Sequence, residues 1–145
     1  MAYGLLQRRL AELGLDREVV VETAGTYALE TQPPARLAQE VLAEQGIDIS
    51  HHRARTVTQE MLEQADLILV MAEQHRQTIF HRVPKVLPRV LLLSELAGEH
   101  RDIPDPYGGP REEYEMTAAM IDTYIERGLP RLLRRLGVSM PHPKT

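Results

Sequence analysis

Leu67-Ile68-Leu69-Val70-Met71 is an apolar run without a polar interruption. A strand with one face in water alternates apolar and polar residues; a short continuous run marks a strand covered on both faces. Val90–Leu93 repeats the pattern, and Val19-Val20-Val21 is a shorter β-branched version. Between these runs lie stretches with helical spacing. Leu5, Leu6, Leu10 and Leu13 make one stripe over residues 2–13, ended by Gly14. Pro33-Pro34 opens a second helix with Leu37, Ala38, Val41 and Leu42 on one face, closed by Gly46. Thr58 is placed as the N-cap of a short helix, and residues 73–82 form another, broken by Pro84. Tyr114, Ala118, Ile121, Ile125, Leu132 and Leu136 share a stripe on a long last helix, which Gly128 and Pro130 should kink or split. Apolar strands alternating with amphipathic helices predict an α/β fold of three layers, a mostly parallel sheet with helices on both faces.

The alternation begins with a helix, although a doubly wound fold ordinarily begins with a strand, and three strands are few for such a sheet. Either the first helix packs where it can, or an opening strand is lacking. The 145 residues suffice for one domain with a proper core. We expect that domain over residues 1–137, followed by a flexible, Pro-rich tail over 138–145.

Composition removes several classes of chemistry. There is no cysteine, so disulfides, thiolate metal sites and thiol nucleophiles are excluded for these residues. The balance of 17 basic and 21 acidic residues, net −4, gives no pull toward nucleic acid or a membrane surface. No apolar run reaches the length of a membrane span and no signal peptide opens the chain, so a cytoplasmic location is the expectation. His75 and His81 lie on one helix without convergent carboxylates, and no metal or cofactor is expected.

The stretch best suited to chemistry is Asp102-Ile-Pro-Asp-Pro-Tyr-Gly-Gly-Pro110. Ile103 and Asp105 each precede a proline and are held extended. Pro104 and Pro106 fix their own φ angles, so the Asp105 carboxylate rides on a stiff backbone. Gly108 and Gly109 permit an open turn, and Pro110 suits the start of the last helix. Near the carboxyl end of a strand, a carboxylate so held can exchange protons with a ligand. The plain alternative is a rigid turn between two elements.

Four segments, in order and at the right spacing, carry a resemblance: Thr23-Ala-Gly-Thr26, Gly46-Ile-Asp-Ile-Ser-His-His-Arg-Ala-Arg55, Ala65-Asp-Leu-Ile-Leu-Val-Met71 and Asp102–Gly109. Together they resemble the low-molecular-weight protein tyrosine phosphatases, bacterial branch, from Met1 to about Gly137. The resemblance implies hydrolysis of phosphotyrosine-type monoesters by a thiolate, with an acid protonating the leaving phenolate. It implies that Asp105 is that general acid, rather than Asp102. Tyr107 would flank the substrate ring, and His52 with Thr23 would brace a phosphate-binding loop. His52 could equally be a solvated residue of a basic stretch. Arg53 and Arg55 could attract an anion or simply form a charged face. Implied partners are a phosphorylated protein or a small phosphomonoester, with no nucleic acid or membrane; oligomeric state is left open.

Members of that family open with a strand and a loop of Cys, five residues, Arg and Ser-Pro. Met1-Ala2-Tyr3-Gly4-Leu5-Leu6 resembles the segment just after that loop. The expectation is therefore an N-terminally shortened phosphatase, inactive as it stands. The alternatives are a pseudophosphatase acting as a binding module and an arsenate reductase-like protein. Loss of the strand should leave a gap beside Leu67–Met71, a direct re-pairing with Val19–Val21, or a slot filled by a partner.

Overall fold

A computed structural model describes residues 1–25 and 32–141. Six α-helices and two strands are present among them: α1 (Ala2–Glu12), α2 (Arg36–Ala43), α3 (Gln59–Gln64), β1 (Ile68–Val70), α4 (Glu73–Arg82), β2 (Val90–Leu92), α5 (Leu93–Leu96) and α6 (Arg111–Leu136). A 3-10 turn over Pro84–Arg89 joins α4 to β2.

β1 and β2 pair in parallel, with Ile68 opposite Val90, Leu69 opposite Leu91 and Val70 opposite Leu92. Successive side chains point to opposite faces, so the two apolar runs feed two separate cores. Val70, Val90 and Leu92 pack with Leu62, Ile79, Val83 and Val86 from α3, α4 and the 3-10 turn, with Ile68 against them. Leu67, Leu69, Met71 and Leu91 lie against the larger core built from α1, α2, α5 and α6. Helices therefore cover both faces, as the uninterrupted apolar runs predict.

Thr58 caps α3 through Oγ1, which accepts from the Met61 N–H at 3.1 Å. Gly46 ends the turn after α2 with φ of +77°, where an L side chain would be strained. On α6, Tyr114, Ala118, Ile121, Ile125 and Leu132 are all buried.

Three expectations fail. Val19–Val21 forms no strand; the nearest ladder contact is one parallel bridge from Gly25 to Thr56. Val19 is buried but Val20 is 78% exposed. β-branched residues favour a strand only where a neighbour accepts their backbone bonds, and none of the described residues provides one. The sheet contains no direct pairing of this segment with β1. The second failure is in α6, which runs unbroken through Gly128 and Pro130. Gly128 is buried against Leu96, and packing along α5 holds the helix together across both residues. Leu93, expected in a strand, instead begins α5. Part of the expected tail, residues 142–145, lies outside the described residues, as does Thr26. Val138 still packs on the core, and its N–H reaches the Leu133 carbonyl at 2.8 Å.

Candidate active site

The Asp102–Pro110 loop is tied down residue by residue before it reaches Asp105. The fully buried Ser94 donates from Oγ to the Arg101 carbonyl at 2.8 Å and accepts from the Arg101 N–H at 3.0 Å. Asp102 Oδ1 accepts the Glu73 N–H at 2.9 Å, satisfying an orphan donor in the first turn of α4, where a carboxylate is favoured. Ile103 is buried, and its N–H reaches the Met71 carbonyl at 2.8 Å, just past β1. The loop thus leaves the carboxyl end of the sheet, as its sequence predicts.

Beyond this anchor the chain is exposed and stiffened by prolines. Asp105 is exposed, and its Oδ1 accepts the Tyr107 N–H at 3.0 Å, an Asx turn that fixes the carboxylate relative to its own backbone. Gly109 N–H closes onto the Pro106 carbonyl at 2.8 Å, with Gly108 at φ of +81° making the turn. Tyr107 is 81% exposed and projects from the surface.

Thr23 and His52 meet on a second segment, with Thr23 Oγ1 at 2.6 Å from His52 Nε2. The Tyr3 ring on α1 stacks on the His52 ring, centroids 4.9 Å apart and planes 24° from parallel. Arg55 Nε donates to the Thr23 carbonyl at 2.9 Å, and the Gly25 N–H returns to the Arg55 carbonyl at 2.8 Å. Arg53 donates to the Ser50 and His52 carbonyls at 2.7 and 2.8 Å. Both arginines therefore hold the backbone around Thr23 and His52. The basic run is neither a purely solvated face nor a free anion cluster.

Electrostatics locate the two segments relative to α1. Burial lowers the pKa of the Met1 amino group, and the Asp105 carboxylate opposes that shift. The His52 pKa is lowered first by burial, then by the charge of the same amino group, then by Arg55 and Arg53. Asp105 and His52 therefore both lie within Coulombic range of the first turn of α1. The start of α1 thus has the hydroxyl–imidazole pair stacked against it through Tyr3 and a carboxylate within Coulombic reach of its amino group, and the positive end of a helix favours an anion.

Sequence reasoning missed Tyr3 and Ser94, and weighed Asp102 only as an acid without foreseeing its bond to the Glu73 N–H. Tyr3 is the sole aromatic residue on α1, Ser94 a hydroxyl ending an otherwise apolar run, and Asp102 a second acid three residues before the first. Each signal was visible, but its partner lies far along the chain.

His52 gives a pH prediction. Its folded-state pKa lies below the ordinary 6.5, so the unfolded chain binds the proton more tightly. The associated stability is fully present above pH 6.5 and is lost as pH falls from there through the folded value. The melting temperature of the protein should drop between pH 7.5 and 5 by more than that of a His52→Gln variant. Parallel melting curves would refute this contribution.

Comparison with known proteins places the chain among relatives. The family described as Low molecular weight phosphotyrosine protein phosphatase matches residues 1–138. A probable low molecular weight protein-tyrosine-phosphatase, EpsP, of Ralstonia solanacearum is 39% identical over 137 residues, 94% of this chain and 88% of that protein. The protein-arginine-phosphatase of Geobacillus stearothermophilus is 33% identical over 110 residues, 75% of this chain and 74% of the relative. Among solved structures, the low molecular weight protein tyrosine phosphatase from T. tengcongensis superposes with a TM-score of 0.84 at 34% identity, covering 90% of this chain and 88% of the other. The YwlE arginine phosphatase, in a mutant with a phosphorylated active site serine, gives 0.84 at 31% identity over 92% of this chain and 86% of the other.

Proposed function

The chain belongs to the low molecular weight phosphotyrosine protein phosphatases, and from that membership we propose that the protein hydrolyses phosphate monoesters of the phosphotyrosine type. Asp105 is the general acid that protonates the leaving oxygen. Tyr107 flanks the organic part of the substrate, while His52 and Thr23 brace the loop that cradles the phosphoryl group. The reading is supported by the His52 ring stacked on Tyr3 in the first turn of α1 and by Asp105 lying within Coulombic reach of the Met1 amino group at the start of that helix. A phosphoryl group there would meet the helix's unpaired N–H groups.

The attacking group is not among these residues, because the chain contains no cysteine. The 145 residues alone are therefore inactive in this reading. One relative carries a phosphorylated active site serine, which supports a covalent phosphoryl-enzyme route for the complete enzyme. Relatives described as protein-arginine-phosphatases make phosphoarginine the competing substrate. We propose a cytoplasmic enzyme in which residues 1–137 contribute one catalytic domain without metal or cofactor.

Two proteins test this. The 145-residue chain should not turn over para-nitrophenyl phosphate. The same residues preceded by a strand and a Cys-(five residues)-Arg loop ending in Ser-Pro should do so. Turnover by the first, or a well-folded but inert second, overturns the proposal. Phosphotyrosine and phosphoarginine peptides offered to the second decide the substrate.

A further inference from the structure

Arginine is distributed unevenly between two roles. Arg9 pairs with Asp122 at 3.0 Å, Arg127 with Glu99 at 3.3 Å, and Arg76 and Arg111 each contact carboxylates. Arg131, Arg134 and Arg135, near the end of α6, have no carboxylate partner among the described residues. Arg131 donates to the Glu95 carbonyl at 2.8 Å and Arg135 to the Pro88 carbonyl at 3.0 Å. A carbonyl orients a guanidinium but leaves its charge and most of its five donors unused. Arg134 has neither kind of partner among the described residues.

These three side chains line one groove of about 720 Å³, together with Leu91, Glu95 and Glu99. The two acids in the lining are already committed. Glu95 contacts Arg76 and accepts the Leu92 N–H at 2.7 Å, and Glu99 accepts the Tyr124 hydroxyl at 2.7 Å beside Arg127. Helix-dipole compensation explains a basic residue in the last turn of a helix. It does not explain a groove lined by three cations without a carboxylate partner among the described residues, two of them oriented by carbonyls, on a chain of net charge −4.

We infer that this groove binds an acidic polypeptide segment carrying an apolar side chain. Carboxylates would take the free edges of Arg134 and its neighbours in bidentate geometry, and the apolar side chain would rest on half-buried Leu91. Leu91, the apolar side chain of the lining, favours a peptide over a polyphosphate or nucleic acid, which offers charge without hydrophobic contact. The site stands independently of the phosphatase chemistry. Its residues take no part in the space around Asp105.

Fluorescence anisotropy of the 145-residue chain with a labelled Glu-Glu-Leu-Glu-Glu peptide tests the inference. Binding should weaken on raising salt, and Arg134→Glu should lower affinity about five- to tenfold while leaving the melting temperature unchanged. The Gln-for-Glu peptide should not bind, and the Gly-for-Leu peptide should bind several-fold more weakly. Equal binding to Arg134→Glu overturns the site. Displacement by a short oligonucleotide at equal charge shows a general polyanion surface and overturns the peptide specificity. Self-association abolished by Arg134→Glu makes a second copy the occupant, and it too overturns the inference.

Discussion

Changing Asp105 to asparagine, in a protein that carries these residues behind a Cys-(five residues)-Arg loop, is expected to lower kcat for phenyl phosphate by about 10²–10⁴-fold. Asparagine separates proton donation from geometry. Its Oδ1 can still accept the Tyr107 N–H that Asp105 accepts at 3.0 Å, so the Asx turn survives. The anchors at Arg101, Asp102 and Ile103 are untouched, because none involves the Asp105 side chain. Only the transferable proton is removed. The loss should therefore depend on the leaving group. Phenolate is a poor leaving group and needs the proton as the phosphorus–oxygen bond breaks, whereas para-nitrophenolate carries its charge more easily. The fall for para-nitrophenyl phosphate should be smaller, and the ratio of the two is the diagnostic. Equal losses for both esters would mean that Asp105 positions rather than protonates. No loss for either would remove it from the chemistry.

The parts of this site that were readable in the sequence are those fixed by neighbours in the chain. Pro104, Pro106, Gly108 and Gly109 act within a few residues, and the loop they shape is stiff, exposed and at the end of the sheet. The layer arrangement was readable for the same reason, since Leu67–Met71 and Val90–Leu93 declare by composition that both faces are covered. The remainder depends on residues far apart. Ser94 meets Arg101, Asp102 meets Glu73 and Tyr3 meets His52 only after folding. Val19–Val21 shows the converse: its propensity is plain, yet a strand exists only when a neighbour completes its hydrogen bonds, and no local rule supplies that neighbour. The basic run at 51–55 was ambiguous because charge alone does not say whether a guanidinium will find solvent, an anion or a carbonyl.

Gly128 and Pro130 looked alike in the sequence, two helix breakers two residues apart, but their replacement by alanine should shift stability in opposite directions. A Cβ on Gly128 would stand 2.5 Å from Leu96 Cβ and 3.1 Å from the Leu96 carbonyl carbon. Leu96 is buried at the end of α5, so its backbone has no cheap way to retreat. Alanine's better helix propensity returns at most about 1 kcal/mol, whereas overpacking costs about 1–3 kcal/mol. The net effect of Gly128→Ala should be a loss, read as a melting temperature lower by several degrees. Pro130 is exposed and sits inside α6, where it removes the backbone bond to the Glu126 carbonyl and crowds that oxygen. Relief of that penalty, about 3 kcal/mol, exceeds the extra unfolded-state freedom that alanine allows, about 1 kcal/mol. Pro130→Ala should therefore raise the melting temperature. The Gly128 change should also reach the loop. Pushing α5 from α6 displaces Ser94, which holds Arg101, and so loosens the segment leading to Asp105. Faster amide exchange at Arg101 and Ile103 in Gly128→Ala, but not in Pro130→Ala, would show this link between helix packing and the Asp105 loop. A stabilised Gly128→Ala would mean that α5 yields freely and that the loop's position does not depend on the α5–α6 contact.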